Sequence, residues 1–287
     1  MKVDRDFNKL LENRWRNAGT MAAVGIDPDP TKFPPELKLQ PDGNNWFTVL
    51  MNFVCGVIDA TNDCVCAYKI QPAYFLNFGA DGIKALKQTV SYIHDHYSDI
   101  PVIMDGKFSD IDATSVQYAN FVFNYLNADA VLINPLMGKG TIFSFTSHSG
   151  KGVIILCRPS GLDAEAIPNL QLSNGNYVWQ YIMRLAIEES RKNKNIAIVL
   201  AAHNYGISDN LRETVLDMPI LVAGIGTQGG VLSDVVPSLL DSNRYGLIIP
   251  SSRAILYPRQ EEGELFPQPS RRAIMHLRDE INELARA

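Results

Sequence analysis

The sequence predicts an α/β protein, a (β/α)8 barrel forming a single domain over residues 1–287 with an extra helix ahead of the first strand. Three observations carry this expectation. Eight short apolar runs recur along the chain, each bounded by Gly, Pro, Asn or Asp and each too short for a helix. Most are separated by segments with helical spacing, the alternation of a parallel sheet covered by helices. The length of 287 residues also suits a barrel, which typically needs about 250 residues.

The elements follow in order. An amphipathic helix over 4–17 precedes the first strand, AAVGI at 22–26. Helix 46–62 leads to strand 65–70 (VCAYKI), and helix 81–97 to strand 101–104 (PVIM). Helix 111–127 precedes AVLI at 130–133, and the Gly-, Ser- and Thr-rich stretch 137–149 gives a weaker helical signal before VIILC at 153–157. Helix 177–192, strand 196–201, helix 208–217, strand 220–223, helix 230–241 and strand 246–249 complete the alternation, and helix 269–286 closes the chain. The strands are nearly continuously apolar, as parallel strands buried on both faces must be. An open doubly wound sheet would normally carry a Gly-rich turn after its first strand, and VGIDPDP is no such turn. Two long loops, 28–45 and 158–175, have the character of binding loops or lids.

Composition narrows the function. With 26 basic and 31 acidic residues the net charge is -5, which argues against nucleic acid as a partner, since that calls for a basic face. No apolar run approaches the roughly 18 residues of a membrane-spanning helix, and the charged N-terminus lacks the apolar core of a secretory signal. A cytoplasmic protein with no membrane partner is the expectation. Cys55, Cys64, Cys66 and Cys157 show no pairing pattern, and the five histidines have no metal-ligand spacing. Neither a metal site nor a cofactor motif is expected. The aromatic stretch from Tyr118 to Tyr125 reads as a helix packing face rather than a base-stacking platform.

Chemistry in a barrel collects at the C-terminal ends of the strands, and unusual charges sit there. Asp27 ends the first strand, Lys69 lies within the second, and Asp105-Gly106-Lys107 ends the third, with Asp110 three residues on. Strand residues two apart point the same way, about 6–7 Å apart, so Asp105 and Lys107 should both face the mouth. Each residue has a plainer reading on its own. Asp27 could form a turn before Pro28, Lys69 could simply pair with Asp105, and Asp110 could be an N-cap. Together they form a charged array whose desolvation cost is seldom met for stability alone. A second cluster follows the last two strands: Gly224-Ile225-Gly226-Thr227-Gln228-Gly229-Gly230, then Ser251-Ser252-Arg253. Glycines that let backbone N–H groups wrap an anion, beside an arginine fork, suit a phosphate. His203 and Asn204 end the sixth strand, and Ser160 follows the fifth.

These residues resemble the orotidine 5′-phosphate decarboxylase family, whose fold is the TIM barrel. The signature D-x-K-x-x-D followed by I-x-x-T reads here Asp105-Gly106-Lys107-Phe108-Ser109-Asp110-Ile111-Asp112-Ala113-Thr114. VGIDPDP, AYKIQPAYF, NPLMG, AGIGTQGG and SSRAIL match further landmarks along nearly the whole chain. The resemblance implies cofactor-independent decarboxylation of orotidine 5′-monophosphate to UMP and CO2 in pyrimidine synthesis. It implies a catalytic set of Lys69, Asp105, Lys107 and Asp110, with Lys107 delivering a proton to C6 and Asp105 beside the substrate carboxylate. Asp27 and Lys69 would contact the ribose and Ser160 the pyrimidine. Gln228, Gly229, Gly230 and Arg253 would hold the phosphate. Asp110, Ile111 and Thr114 would reach into the partner's site, giving a homodimer with shared active sites. Phe108-Ser109, Pro159-Ser160-Gly161 and Ala223 depart from patterns common in longer bacterial relatives, and none removes a charge that the chemistry needs. Two other readings remain at this point. A related Mg-dependent sugar-phosphate lyase would share Asp105, Lys107 and Asp110, and a non-catalytic nucleotide-phosphate-binding barrel would keep only the glycine loop and Arg253.

Overall fold

The structure, a computed structural model, describes residues 5–37, 45–161, 163–202, 211–225 and 229–287. Its eight strands are β1 (Ala22–Ile26), β2 (Ala67–Ile70), β3 (Val102–Phe108), β4 (Ala130–Ile133), β5 (Gly152–Leu156), β6 (Ile196–Ala201), β7 (Ile220–Ala223) and β8 (Leu247–Ser251). All pair in parallel, each with its neighbour in sequence, and β1 pairs with β8 to close the barrel. The expected barrel is therefore observed. The strands are almost wholly buried, and the main core runs through the barrel and under its helices.

The helices are α1 (Phe7–Asn17), α2 (Trp46–Thr61), α3 (Ala73–Leu76), α4 (Gly79–His96), α5 (Asp112–Ala119), α6 (Lys139–Thr146), α7 (Val178–Ser190), α8 (Leu211–Val215), α9 (Leu232–Leu239), α10 (Arg253–Leu256) and α11 (Gln268–Arg286). Local chemistry explains several starts. Asp6 caps α1 by accepting the Lys9 amide at 3.1 Å, and Asn45 caps α2 through the Thr48 amide at 3.2 Å. None of the helices among the described residues is long and apolar enough to cross a membrane.

Two departures from the sequence reading have physical reasons. The helix expected over 111–127 is α-helical only through Ala119 and continues as a π-helix over Asn120–Tyr125. The wider turn places both Val122 and Phe123 in the core while Tyr118 and Tyr125 stay exposed. This remains a packing segment, as expected. Strand β3 runs to Phe108, four residues beyond its apolar run, because Asp105, Gly106 and Lys107 continue it as a bulge; the β3–β4 register shifts between Met104 and Phe108.

The closed end of the barrel holds an ionic clasp that the sequence did not disclose. Asp129, fully buried, accepts both Nε and Nη2 of Arg5 at 2.7 Å and the Val102 amide at 2.8 Å, and pairs with His94 Nε2 at 3.0 Å. Burial opposes the Asp129 charge, but Arg5 and His94 outweigh it and hold the carboxyl down at about 2. Nearby, buried Arg14 donates to the Val65 and Asn62 carbonyls and pairs with Asp99. The clasp is remote from the strand C-termini, so it reads as stability.

Candidate active site

The mouth of the barrel opens into a cavity of about 1040 Å3. Its floor is apolar and made by consecutive strands: Leu132, Leu156, Val199 and Leu221. Above that floor the walls become charged, with Asp27, Lys69, Asp105, Lys107, Ser160, Gly230 and Arg253 all lining one space. Seven of the residues singled out from sequence are thus brought together.

The array is built on β2 and β3. Lys69 Nζ lies 2.6 Å from Asp105 Oδ2, and Lys107 Nζ lies 2.7 Å from Asp105 Oδ1. One carboxylate therefore bridges two ammonium groups, each hydrogen bond strengthened by charge. The pair reading of Lys69 is correct as far as it goes, but it omits the second lysine. The bulge makes this possible. Lys107 adopts a positive φ of 49°, a region that costs a residue with a side chain and persists only where surroundings impose it. Gly106 has no room for a Cβ, which would meet the Phe108 ring at 2.2 Å. Lys69 and Asp105 are nearly inaccessible, whereas the Lys107 side chain is 44% exposed and faces the opening.

The electrostatics follow from this geometry. Burial alone would push a carboxyl up, yet Lys69 and Lys107 overcome it and hold Asp105 below the ordinary carboxylate range. Burial likewise works against the Lys69 ammonium, and Asp105 with Asp27 outweighs it, so Lys69 is held above its usual value. Asp27 Oδ1 is buried with no hydrogen-bond partner among the described residues, an acceptor oxygen in a residue that lines the cavity.

Glycine and arginine form the other end. Gly230 donates its amide to the Gly224 carbonyl at 3.0 Å, and a Cβ there would strike Ala202 at 2.3 Å. Gly229 has φ +87°, a backbone that side chains resist. It stands beside Gly230 without lining the cavity. Arg253 opens α10 at the rim. Gln228, His203 and Asn204 lie outside the described residues.

Asp110, Ile111 and Thr114 are not among the residues lining this chain's own cavity. Asp110 is not a helix cap. Ile111 holds that position, and the Asp110 carboxylate accepts the Ile111 amide at 2.7 Å instead. The chain bends there because Ser115 and Thr141 hydroxyls both donate to the Asp110 carbonyl. Around it Ile111, Leu136, Met137 and Phe143 present exposed apolar side chains.

Sequence reasoning missed two supporting residues. Arg158, two residues after β5, is buried over the Trp179 ring at 5.1 Å, with Glu165 at 3.7 Å. It ties the start of the Ser160 loop to α7. Tyr257, after α10, reaches back to the β1 loop. An arginine directly after the apolar run at 153–157 was the available signal for the first; nothing local marks the second. Among the described residues there is no group of three or more His, Cys, Asp or Glu side chains able to hold a metal ion.

Comparison with known proteins places this geometry. The family model described as Orotidine 5′-phosphate decarboxylase / HUMPS family matches residues 24–264. The orotidine 5′-phosphate decarboxylase of Aromatoleum aromaticum is 36% identical over 276 residues, covering 96% of this chain and 98% of that protein. Among solved structures, Leishmania donovani OMP decarboxylase superposes with a TM-score of 0.80 at 25% identity, covering 98% of this chain and 99% of the other. Leishmania donovani UMP synthase does so with a TM-score of 0.81 at 26% identity, covering 97% of this chain, which spans 56% of that longer protein. The chain is a member of the orotidine 5′-phosphate decarboxylase / HUMPS family.

Proposed function

We propose that the protein decarboxylates orotidine 5′-monophosphate to UMP and CO2, a step of pyrimidine synthesis. The observation that carries this reading is the Lys69–Asp105–Lys107 bridge at the cavity wall, with Arg253 across the same space. Cleaving the bond from C6 to the carboxylate leaves an electron pair on a carbon with no adjacent electron sink. The pair is best met by a fixed positive charge that also carries a proton. Lys107, accessible and held by Asp105, delivers that proton to C6 as CO2 departs and is then reprotonated from solvent. Asp105 orients both lysines and stands where the substrate carboxylate would approach. Lys69 and Asp27 take the ribose hydroxyls, and Ser160 the pyrimidine edge. Arg253 and Gln228 take the phosphate beside the turn at Gly229 and Gly230; the Gly230 amide is already bonded to the Gly224 carbonyl, so that residue contributes close backbone approach rather than a free donor. Binding that remote group can supply energy to order the reacting end.

The chain works as one barrel unit and as a homodimer in the soluble cytoplasm, with Asp110, Ile111 and Thr114 completing the partner's site. What supports the dimer is the exposed apolar surface of Ile111, Leu136, Met137 and Phe143, beside residues of the family signature that their own cavity does not use. The deciding experiment is the loss of orotidine monophosphate absorbance on adding purified protein treated with EDTA. Turnover at an unchanged rate supports the reading. Activity only after Mg2+ is restored supports the sugar-phosphate lyase, and UMP binding without turnover supports the non-catalytic barrel.

A further inference from the structure

The loop after β1 and the segment after β8 meet at a single hydroxyl. Tyr257 Oη donates to the Asp27 carbonyl at 2.9 Å and accepts the Asp29 amide at 2.5 Å. A phenol carries one proton and acceptor lone pairs, so one group satisfies both peptides and fixes the chain on either side of Pro28. The ring is itself seated, stacked on Phe53 at 5.7 Å, which in turn stacks on Phe33 at 4.0 Å and Phe266 at 5.4 Å. Burial pushes the Tyr257 hydroxyl upward, so it stays protonated and remains a donor. On its other side, the Tyr257 amide donates to the Arg253 carbonyl at 3.0 Å.

Asp27 needs such a support. Its buried Oδ1 has no hydrogen-bond partner among the described residues, so no bond at that oxygen aims the side chain. Its direction then depends on the backbone that carries it as well as on the charge of Lys69. We propose that Tyr257 is a positioning residue: its hydroxyl fixes the Asp27 backbone, sets the Asp27 carboxylate toward the cavity beside Lys69, and joins it to the turn bearing Arg253. The inference rests on the decarboxylase reading for its substrate, but its geometry does not. Asp27 acts on bound substrate before as well as during reaction, so the effect belongs in KM more than in kcat.

The test is a cycle of wild type, Tyr257→Phe, Asp27→Asn and the double variant, assayed with orotidine monophosphate and titrated with UMP. Phenylalanine keeps the stacked ring, and near-UV circular dichroism gives the folded fraction; unfolding lowers active concentration without moving KM. Tyr257→Phe is expected to raise KM, and weaken UMP binding, about tenfold with kcat changed less than about threefold. In the Asp27→Asn background it should change either quantity by less than about twofold. An unchanged KM in the single variant, or an undiminished tenfold effect in the Asp27→Asn background, overturns the proposal. An inactive wild type would overturn the decarboxylase reading instead, and the UMP titrations would still decide the role of Tyr257.

Discussion

Lys107 Nζ stands 2.7 Å from Asp105 Oδ1 although the two residues share one strand and only Gly106 separates them. In a regular strand such neighbours run parallel, about 6–7 Å apart. The bulge folds the lysine back, and the remaining carboxylate oxygen is taken by Lys69 at 2.6 Å. Two cations thus share one anion at the cavity wall, and the more accessible of them is free to meet a substrate.

Lys107→Ala should lower turnover of orotidine monophosphate by about a thousandfold or more, the scale of removing a preorganised charge. The protein should remain folded, because Asp105 keeps Lys69. Steady-state kinetics with circular dichroism checks this; near wild-type production of UMP would exclude Lys107 as the acid.

Arg253→Ala should reduce kcat/KM for the phosphorylated substrate by about a hundredfold or more, as loss of a charge-assisted anion contact does. Orotidine lacking the phosphate should be affected far less. Equal losses on both substrates would remove Arg253 from the phosphate site.

Asp129→Ala should destabilise the protein by about 3–5 kcal/mol, since it leaves Arg5 and His94 facing a buried gap. The sign of the pH dependence follows from a depressed carboxyl. Its contribution is complete above the unfolded value of about 3.9 and fades as pH falls toward about 2. Melting temperatures between pH 5 and pH 2.5 should fall for the wild type and fall less for the variant; parallel curves would show that Asp129 adds nothing.

Phe143→Asp places a charge on the exposed apolar face. If the proposed dimer forms through this face, sedimentation equilibrium should show it in the wild type and its loss in the variant, with activity falling alongside. A variant that stays dimeric with full activity would move the interface elsewhere.

Most of the barrel was legible because parallel strands buried on both faces must be apolar throughout. The runs at 22–26, 130–133, 196–201 and 220–223 coincide with β1, β4, β6 and β7. β3 was cut short because Asp105 and Lys107 do not look like strand residues, and they are in the strand only through the bulge that makes them useful. The charged array was visible because it breaks the apolar pattern at strand ends. Tyr257 and Asp129 were not, since their meaning lies in partners far away in sequence: 230 residues separate Tyr257 from Asp27, and 124 separate Asp129 from Arg5. The short helices α3 and α10 were invisible for another reason, as four residues give no periodicity to read.

Pairing of β1 with β8, where Val24 meets Ser251, has a consequence for how the protein is made. On the ribosome, Lys69, Asp105 and Lys107 emerge while β8 is still unsynthesised, so the triad can form in an incomplete sheet. The tie on Asp27 must wait for Tyr257, and the proposed phosphate end for Arg253, until the last strand docks. Affinity for the ligand should therefore arrive in one step, when β8 docks. A ligand that binds only the closed form then acts as a folding ligand, drawing the final strand into place by mass action.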